Sequence, residues 1–215
     1  MLNRKTNYIQ IALNSTLQEA YSIIKSLPQS ERILVEAGTP LIKTYGMQGI
    51  QSIKNWWGGY VVADLKAMDR GETEVRIAEK AGADAVVALG HAPIETIDSF
   101  IIACEKYKVD SMLDLMNVKE PIKVLRHLKK MPTVVMLHRG VDETEFNKNM
   151  PIPYIQINKV RSSYNTLISI AGGDTIREVQ RAIFNDANIV VVWKEFYQAS
   201  AQTGKLAEEF LKAIK

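Results

Sequence analysis

Several features that mark other protein classes are missing from this sequence of 215 residues. It contains one cysteine, Cys104, which excludes an intrachain disulfide and a metal cluster built on cysteine ligands. Cys104 stands in the apolar run FIIACEKY, a context that predicts a buried side chain. Such sparing use of cysteine is typical of a protein of the reducing cytoplasm.

The sequence also lacks long hydrophobic runs and strong charge. No apolar stretch approaches the roughly 18 residues that a membrane helix needs, and MLNRKTNYIQIALN has neither the apolar segment nor the cleavage site of a signal peptide. These absences predict a cytoplasmic protein with no membrane partner. The net charge is only +3, and no basic block or basic-aromatic stripe is present, which argues against a nucleic acid partner.

What the chain does contain is a regular series of short apolar runs. Apolar residues make up 47% and charged residues 24% of the sequence, a balance typical of a globular protein with a sizeable core. Most of these runs are continuously apolar, which indicates strands buried on both faces and therefore a parallel sheet. The candidate strands are YIQIALN (8–14), RILVEAG (32–38), YVVADLK (60–66), AVVALG (85–90), SMLDLM (111–116), TVVMLHR (133–139), LISIAGG (167–173) and NIVVVWK (188–194).

Helical patterns separate these strands. They cover 16–25, 72–81, 94–107, 121–128, 175–184 and 201–214, and several begin near a proline or a capping residue. In the sixth unit, VDETEFNKNMPIP is predicted to be a polar loop and YIQINKVRSS a helix, with an extra strand as the alternative. Eight units of about 27 residues favour an α/β fold of the (β/α)8 TIM barrel type, with a doubly wound open sheet as the alternative. No linker or change in composition divides the chain, so residues 1–215 are predicted to form a single domain.

Polar residues stand at the carboxyl end of nearly every predicted strand. In a (β/α)8 barrel these ends converge on one rim, where barrel enzymes place their active sites. The arrangement therefore predicts an active site, with chance placement of polar residues as the alternative; for Asp64, Lys66 and Asp69 the alternative is an ion-pair network that closes the rim. The residues concerned are Asn14, Glu36, Asp64, Lys66, His91, Asp114, Asn117, His138, Arg139, Gly172, Gly173, Asp174 and Lys194.

The stretch YVVADLKAMDRG contains the densest group of charges at this rim. Strand alternation places Asp64 and Lys66 on one face, toward the barrel mouth, and turns Leu65 away. Asp69 follows the strand and can reach the same area or a neighbouring subunit. Two carboxylates beside an ammonium can hold that cation charged, bind a metal or transfer protons, which suits a reaction that develops negative charge on a substrate.

These residues also carry a resemblance to a known family. DLKAMDRG matches the D-x-K-x-x-D motif of the orotidine 5'-monophosphate decarboxylase superfamily. Four further stretches, VEAGTPLIKTYG, LDLMNV, LHRGVD and AGGDTIREV, resemble its 3-hexulose-6-phosphate synthase branch. The resemblance covers nearly the whole chain and is weakest at strand eight. In the decarboxylase a lysine stands where this chain has Glu36, which argues against that activity.

The resemblance implies an Mg²⁺-dependent aldolase lyase that adds formaldehyde to D-ribulose 5-phosphate, or cleaves the product, through an enediolate. By the same resemblance Glu36 and Asp64 hold the metal and Lys66 stabilises the negative charge. Asp69 reaches the site of the partner subunit, which implies a homodimer with shared active sites. His138 corresponds to a proton-handling residue, with Arg139 beside it as a substrate contact.

The implied phosphate site is only partly preserved. Gly172 and Gly173 supply the backbone N–H groups that the family places after strand seven. Strand eight ends in Trp193-Lys194 where the family has Gly-Gly or Gly-Arg. Either Trp193 points into the barrel wall and Lys194 contacts the phosphate, or the substrate differs. Strand one ends in Ala-Leu-Asn instead of Ala-Leu-Asp, so Asn14 can bond to a sugar hydroxyl but carries no charge.

Two other functions remain open at the level of the sequence. A decarboxylase of a phosphorylated sugar acid, or of orotidine 5'-phosphate, could use the same scaffold. A non-catalytic descendant that binds a ligand is the second. Asn14 and Trp193 favour that descendant, whereas the intact array of Asp64, Lys66 and Asp69 favours an enzyme.

Overall fold

The fold was analysed in a computed structural model, which describes residues 1–146, 154–172, 175–197 and 202–215. Eight strands alternate with helices along the chain. The strands are β1 Tyr8–Leu13, β2 Ile33–Ala37, β3 Val61–Ala67, β4 Ala85–Leu89, β5 Asp110–Asp114, β6 Val134–His138, β7 Leu167–Ala171 and β8 Ile189–Val192. The helices are α1 Leu17–Ser26, α2 Thr39–Trp57, α3 Gly71–Lys80, α4 Ile94–Tyr107, α5 Pro121–Leu125, α6 Val141–Phe146, α7 Tyr154–Ser163, α8 Ile176–Phe184, α9 Lys194–Tyr197 and α10 Thr203–Ala213.

All eight strands are parallel and close into one barrel in sequence order, with β8 paired to β1. The predicted (β/α)8 barrel is thus confirmed, and the open sheet is wrong. No helix within the described ranges is long and apolar enough to cross a membrane.

Strand alternation divides the apolar residues into an inner and an outer core. Along β1, Tyr8 and Ala12 join the cluster that fills the barrel, whereas Ile9 and Ile11 pack in the larger cluster between the sheet and the helices. The other strands repeat this division. Both faces of each strand are therefore buried, which explains why the strands are continuously apolar in the sequence.

A buried carboxylate, Asp110, and a half-buried one, Asp84, lie with their partners at the amino-terminal end of the barrel. Asp110 accepts hydrogen bonds from the backbone N–H of Leu2 at 2.8 Å and from the Tyr60 hydroxyl at 2.6 Å. Asp84 accepts from Lys54 Nζ at 2.6 Å and from the Val61 N–H at 2.7 Å. These contacts join chain segments at the amino-terminal end of the barrel. The predicted functional residues lie at the other end, where the strands have their carboxyl termini.

The structure differs from the sequence prediction around two strand ends. Residues 141–146 form helix α6, where a polar loop was predicted. Asp142 and Glu143 in its first turn complement the positive end of the helix dipole. The remainder of that loop, 147–153, lies outside the described residues, and the predicted helix over YIQINKVRSS is confirmed as α7. Strand β8 ends at Val192, so Lys194 begins α9 instead of ending the strand.

Helices α3 and α4 touch most closely at Gly71. A Cβ atom on Gly71 would lie 2.8 Å from both the backbone nitrogen of Phe100 and the carbonyl oxygen of Thr96. We therefore expect Gly71→Ala to lower the free energy of unfolding by about 1–3 kcal/mol, because backbone atoms cannot yield as a side chain would. Urea unfolding would measure the loss. The exposed Arg76→Ala on the same helix serves as the control and should change stability by less than about 0.5 kcal/mol; equal stability of the two variants would contradict the prediction.

Candidate active site

A cavity of about 420 Å³ opens at the carboxyl ends of the strands. It brings together eight of the ten residues that the sequence singled out for catalysis, substrate binding or metal binding: Asn14, Glu36, Asp64, Lys66, His138, Arg139, Gly172 and Lys194. Its wall also includes Thr39, Pro40, Met116, Met136 and Trp193. The other two predicted residues, Asp69 and Gly173, are treated separately below. The placement supports a common site, while the individual roles of these residues stay predictions.

The ammonium group of Lys66 lies between two carboxylates. Its Nζ atom is 3.1 Å from Asp64 Oδ2 and 2.8 Å from Asp114 Oδ2. Burial alone would lower the pKa of Lys66, but the negative charges of Asp64 and Asp114 outweigh burial and hold this pKa above its ordinary value. Lys66 therefore remains a fixed cation in the cavity wall.

Lys66 reaches this position through an irregularity at the end of β3. The pairing of β3 with β4 shifts register between Ala63 and Ala67, and Lys66 has a φ angle of 48°, in the left-handed region. A residue with a side chain adopts that region at a cost of about 1–3 kcal/mol, and such strain is concentrated at functional sites. The alternation of side chains along a regular strand explains the orientation of Asp64. It does not account for Lys66, because the backbone there departs from regular strand geometry.

Asp114, at the end of β5, also orients His138. Its Oδ2 atom is 2.8 Å from His138 Nδ1, while its Oδ1 atom accepts the N–H of Met116 at 2.9 Å. Burial alone would raise the pKa of Asp114, but His138 and Lys66 outweigh it and lower this pKa to about 2. A charged Asp114 only accepts hydrogen bonds, so His138 must donate through Nδ1, and Nε2 becomes the nitrogen that can exchange a proton with a ligand.

Glu36 lies against Asp64 and Gln10 inside the barrel. Burial, followed by the negative charge of Asp64, raises the pKa of Glu36 to about 7. The side-chain amide of Gln10, itself fully buried, donates to Glu36 Oε2. The sequence analysis missed Gln10, although a polar residue at an inward-facing position of the apolar strand YIQIALN is a signal that could have identified it.

Asp64 is held by the first residue of helix α2. The Thr39 hydroxyl donates to Asp64 Oδ2 at 2.8 Å and lies 2.9 Å from the Asp64 carbonyl oxygen. The second carboxylate oxygen, Oδ1, is buried and has no hydrogen-bond partner among the described residues. A buried carboxylate oxygen without a donor is costly unless a ligand or cation satisfies it.

The opposite side of the cavity is basic. Arg139 donates to the carbonyl oxygen of Gly172 at 2.8 Å. Gly172 has a φ angle of 100°, and a Cβ atom there would lie 2.6 Å from the carbonyl oxygen of Arg139, so only glycine fits this turn. Lys194 Nζ lies 5.4 Å from the ring centroid of Trp193. The predicted partner glycine, Gly173, lies outside the described residues.

Asn14 closes the cavity at the end of β1. Its side-chain amide fills the space that a Cβ atom on residue 38 would need, so the glycine at that position makes room for Asn14. Its backbone N–H donates to the hydroxyl oxygen of Tyr197, on helix α9. Burial, as the main cause, raises the pKa of Tyr197 to about 12, so this hydroxyl stays protonated.

Asp69 lies apart from the cavity of its own chain. It is exposed in the loop after β3, where its Oδ1 atom accepts the N–H of Arg70 at 2.8 Å. It is absent from the cavity wall. Its predicted contribution to the site of a partner subunit stays a prediction.

The comparison with protein families agrees with this geometry. Residues 7–208 match the model of the orotidine 5'-phosphate decarboxylase / HUMPS family. The chain belongs to this family. The resemblance drawn from DLKAMDRG and the other stretches is therefore confirmed.

Individual relatives place the chain nearer to one branch. It is 37% identical over 208 residues to the bifunctional enzyme Fae/Hps of Methanocaldococcus jannaschii, covering 96% of this chain and 52% of that protein. The chain spans about half the length of the curated relatives it matches. A solved 3-hexulose-6-phosphate synthase superposes with a TM-score of 0.86 at 27% identity, covering 97% of this chain and all of the other. The 3-hexulose-6-phosphate synthase of Salmonella typhimurium gives the same TM-score at 25% identity, covering 96% and 98%.

The carboxylates of Glu36 and Asp64 fit the predicted role of metal ligands. Within the described ranges no group of three or more His, Cys, Asp or Glu side chains is arranged to hold a metal ion. Mg²⁺, however, commonly takes only one or two carboxylates and fills its other positions with water and substrate oxygens. The unsatisfied Oδ1 of Asp64 and the repulsion between Asp64 and Glu36 are the features that a cation would relieve.

Asp114 offers a direct test of the charge arrangement. We expect Asp114→Asn to cost about 3–5 kcal/mol of stability at neutral pH, because Lys66 and His138 lose their buried anion. Because this pKa is lowered from 3.8 to about 2, the contribution of Asp114 to stability is complete above pH 3.8 and is lost as the pH falls from there to about 2. The stability difference between wild type and variant should therefore narrow over that range.

Urea unfolding of both proteins from neutral pH to the lowest pH at which they fold would measure this difference. Glu120→Gln is the control, because it breaks an exposed ion pair with Lys123, 2.8 Å long, that solvent screens. The control should cause a far smaller loss. A difference between wild type and Asp114→Asn that stays constant with pH would refute the assigned charge.

Proposed function

We propose that this chain is a 3-hexulose-6-phosphate synthase-type aldolase that joins formaldehyde to D-ribulose 5-phosphate, or catalyses the reverse cleavage. The observation that carries the proposal is the cluster of Glu36, Asp64, Lys66 and His138 in one cavity. The names of its relatives support the same reaction. Because the curated relatives are about twice as long, the proposal concerns the portion that this chain matches.

The distribution of charge in the cavity suits a phosphorylated sugar. Glu36 and Asp64 come from β2 and β3, whereas Arg139 follows β6, across the barrel from β2, and Lys194 follows β8, which β1 separates from β2. A phosphate would lie near the cations, and the hydroxyl and carbonyl groups of the sugar would face the carboxylates and Lys66. One ligand orientation is then favoured over its reverse.

The reaction requires stabilisation of an enediolate. A proton leaves C1 of the ketose, C1 then bonds to the formaldehyde carbon, and the formaldehyde oxygen takes up a proton. Lys66, held charged by Asp64 and Asp114, supplies a preorganised cation for the negative oxygen. His138, oriented through Nδ1, offers Nε2 for proton transfer at the reacting atoms.

Two further components complete the proposal. Mg²⁺ held by Glu36 and Asp64 would supply Lewis-acid polarisation of the sugar oxygens. Asp69 would act in the site of a second subunit, and its exposure on the outside of its own cavity is compatible with that placement. The enzyme would then be a homodimer with shared active sites.

The primary test is an assay of purified protein with formaldehyde, D-ribulose 5-phosphate and Mg²⁺. We expect loss of formaldehyde that a chelator abolishes, and a decrease in kcat/KM of about 10²–10³ or more in Asp64→Asn and in Lys66→Ala. Lys123→Ala, which removes an exposed lysine on α5, is the matched control and should retain wild-type turnover. Each variant needs a melting curve to establish that it is folded.

Absence of turnover by folded wild-type protein would overturn the aldolase proposal. A melting temperature that D-ribulose 5-phosphate and Mg²⁺ together raise would then indicate binding without catalysis, because a ligand of the folded state stabilises it by mass action. Release of CO2 from a phosphorylated sugar acid would instead identify the decarboxylase alternative.

Subunit mixing tests the shared site. Asp69→Ala and Lys66→Ala are each expected to be inactive alone, yet an equal mixture that exchanges subunits should recover roughly a quarter of wild-type activity. Half of the dimers would be mixed, and each mixed dimer would keep one intact site of two. A mixture of Lys66→Ala with Asp64→Asn, whose residues share one chain's cavity, should recover none.

A further inference from the structure

Trp193 lies at the barrel mouth, directly after strand β8. It stands two residues after Val191, the last inner-core residue of that strand, and packs on the inner core cluster. Its side chain also forms part of the cavity wall. Trp193 therefore contacts both the inner core and the cavity, and the two sequence-based alternatives for it stay predictions.

The indole is supported on several sides. The ring of Tyr197 meets it edge-on, with centroids 5.5 Å apart and an interplanar angle of 73°, and Lys194 Nζ lies 5.4 Å from its centroid. Tyr197 is tied to the backbone of Asn14 through its hydroxyl. Phe196, buried in the same short helix, packs against Phe210 of α10 with ring centroids 5.9 Å apart. Trp193 is thus a fixed wall.

We propose that Trp193 is a specificity-determining residue that sets the length of the phosphorylated ketose the site accepts. This inference rests on the proposed function. The reacting end of the ligand is fixed by Glu36, Asp64 and Lys66, so the distance from that group to the wall that follows β8 determines where the phosphate can lie. An indole at that wall shortens the distance, and it seats the ammonium of Lys194 as the phosphate contact.

The chemistry of the wall differs from that of a backbone phosphate site. A glycine exposes N–H groups that bind phosphate oxygens directly, whereas an indole ring fills the space and offers an apolar face. Lys194 provides a point charge that attracts an anion without fixing its orientation. The site should therefore select substrates by length more strictly than by the geometry of the phosphate group.

The test is proton–deuterium exchange at C1 of ketose phosphates in D2O, which requires no formaldehyde. Ketose phosphates of four, five and seven carbons are compared in wild type and in Trp193→Gly. We expect Trp193→Gly to shift the kcat/KM ratio of the seven-carbon to the five-carbon substrate upward by about tenfold or more, because a removed wall admits a longer chain.

Two further variants separate the role of the wall from other effects. Trp56→Ala removes a tryptophan on the outer side of the barrel, whose ring meets that of Tyr21 edge-on with centroids 5.1 Å apart, and should leave the substrate ratios unchanged. Lys194→Met should raise KM for all three substrates while leaving their ratios unchanged. Loss of the Lys194 charge should therefore change KM for every substrate, whereas loss of the Trp193 ring should change the kcat/KM ratio between substrates of different length.

The outcomes separate this inference from the proposed function. If wild type exchanges no ketose phosphate at all, the proposed function fails. If wild type exchanges five-carbon substrate but a folded Trp193→Gly keeps the wild-type ratios, the inference about Trp193 is wrong. Should Trp193→Gly not fold, Trp193→Phe decides, because a smaller ring must shift the ratio in the same direction and an unchanged ratio overturns the inference.

Discussion

A closed barrel of eight parallel strands admits only every second residue of each strand to its interior. In this chain the inward positions include apolar residues, such as Leu34 and Val62, and polar ones, such as Gln10, Glu36 and Asp64. In the strand register Gln10 pairs with Leu34, and Glu36 pairs with Ala12 on one neighbour and with Val62 on the other. The candidate site therefore depends on the closed sheet, because its residues come from strands that are far apart in sequence.

Within that interior the charges must satisfy one another. Asp114 Oδ2 accepts from Lys66 and bonds to His138, which links three strands through one oxygen atom. The carboxylates of Glu36 and Asp64 are less well balanced, as the raised pKa of Glu36 and the unpartnered Asp64 Oδ1 indicate. The half of the site around Lys66 is thus preorganised, whereas the half around Glu36 holds negative charge that its described neighbours do not balance.

The sequence allowed the fold and most of the site to be predicted because both depend on periodicity and on strand ends. Continuous apolar runs identified all eight strands, and eight of the ten residues given a role in the site line one cavity, whereas His91 and Asn117 are not part of its wall. Other features depend on tertiary contacts that no local pattern contains. The left-handed backbone at Lys66 follows from a shift in pairing with β4, and the short helix at Lys194 is anchored by the packing of Phe196 on Phe210. Gln10 was missed because its partner, Glu36, lies on another strand.

The two departures from the family pattern, Asn14 and Trp193, are physically connected. They follow β1 and β8, which are neighbours only because the barrel closes. Tyr197 joins them, since its ring contacts Trp193 while its hydroxyl accepts the N–H of Asn14. The departures therefore form one altered wall, which lies beside β2 because β1 also pairs with that strand. Asp64 and Lys66, which match the family motif, come from the next strand, β3, so the two departures and the motif residues meet around one cavity.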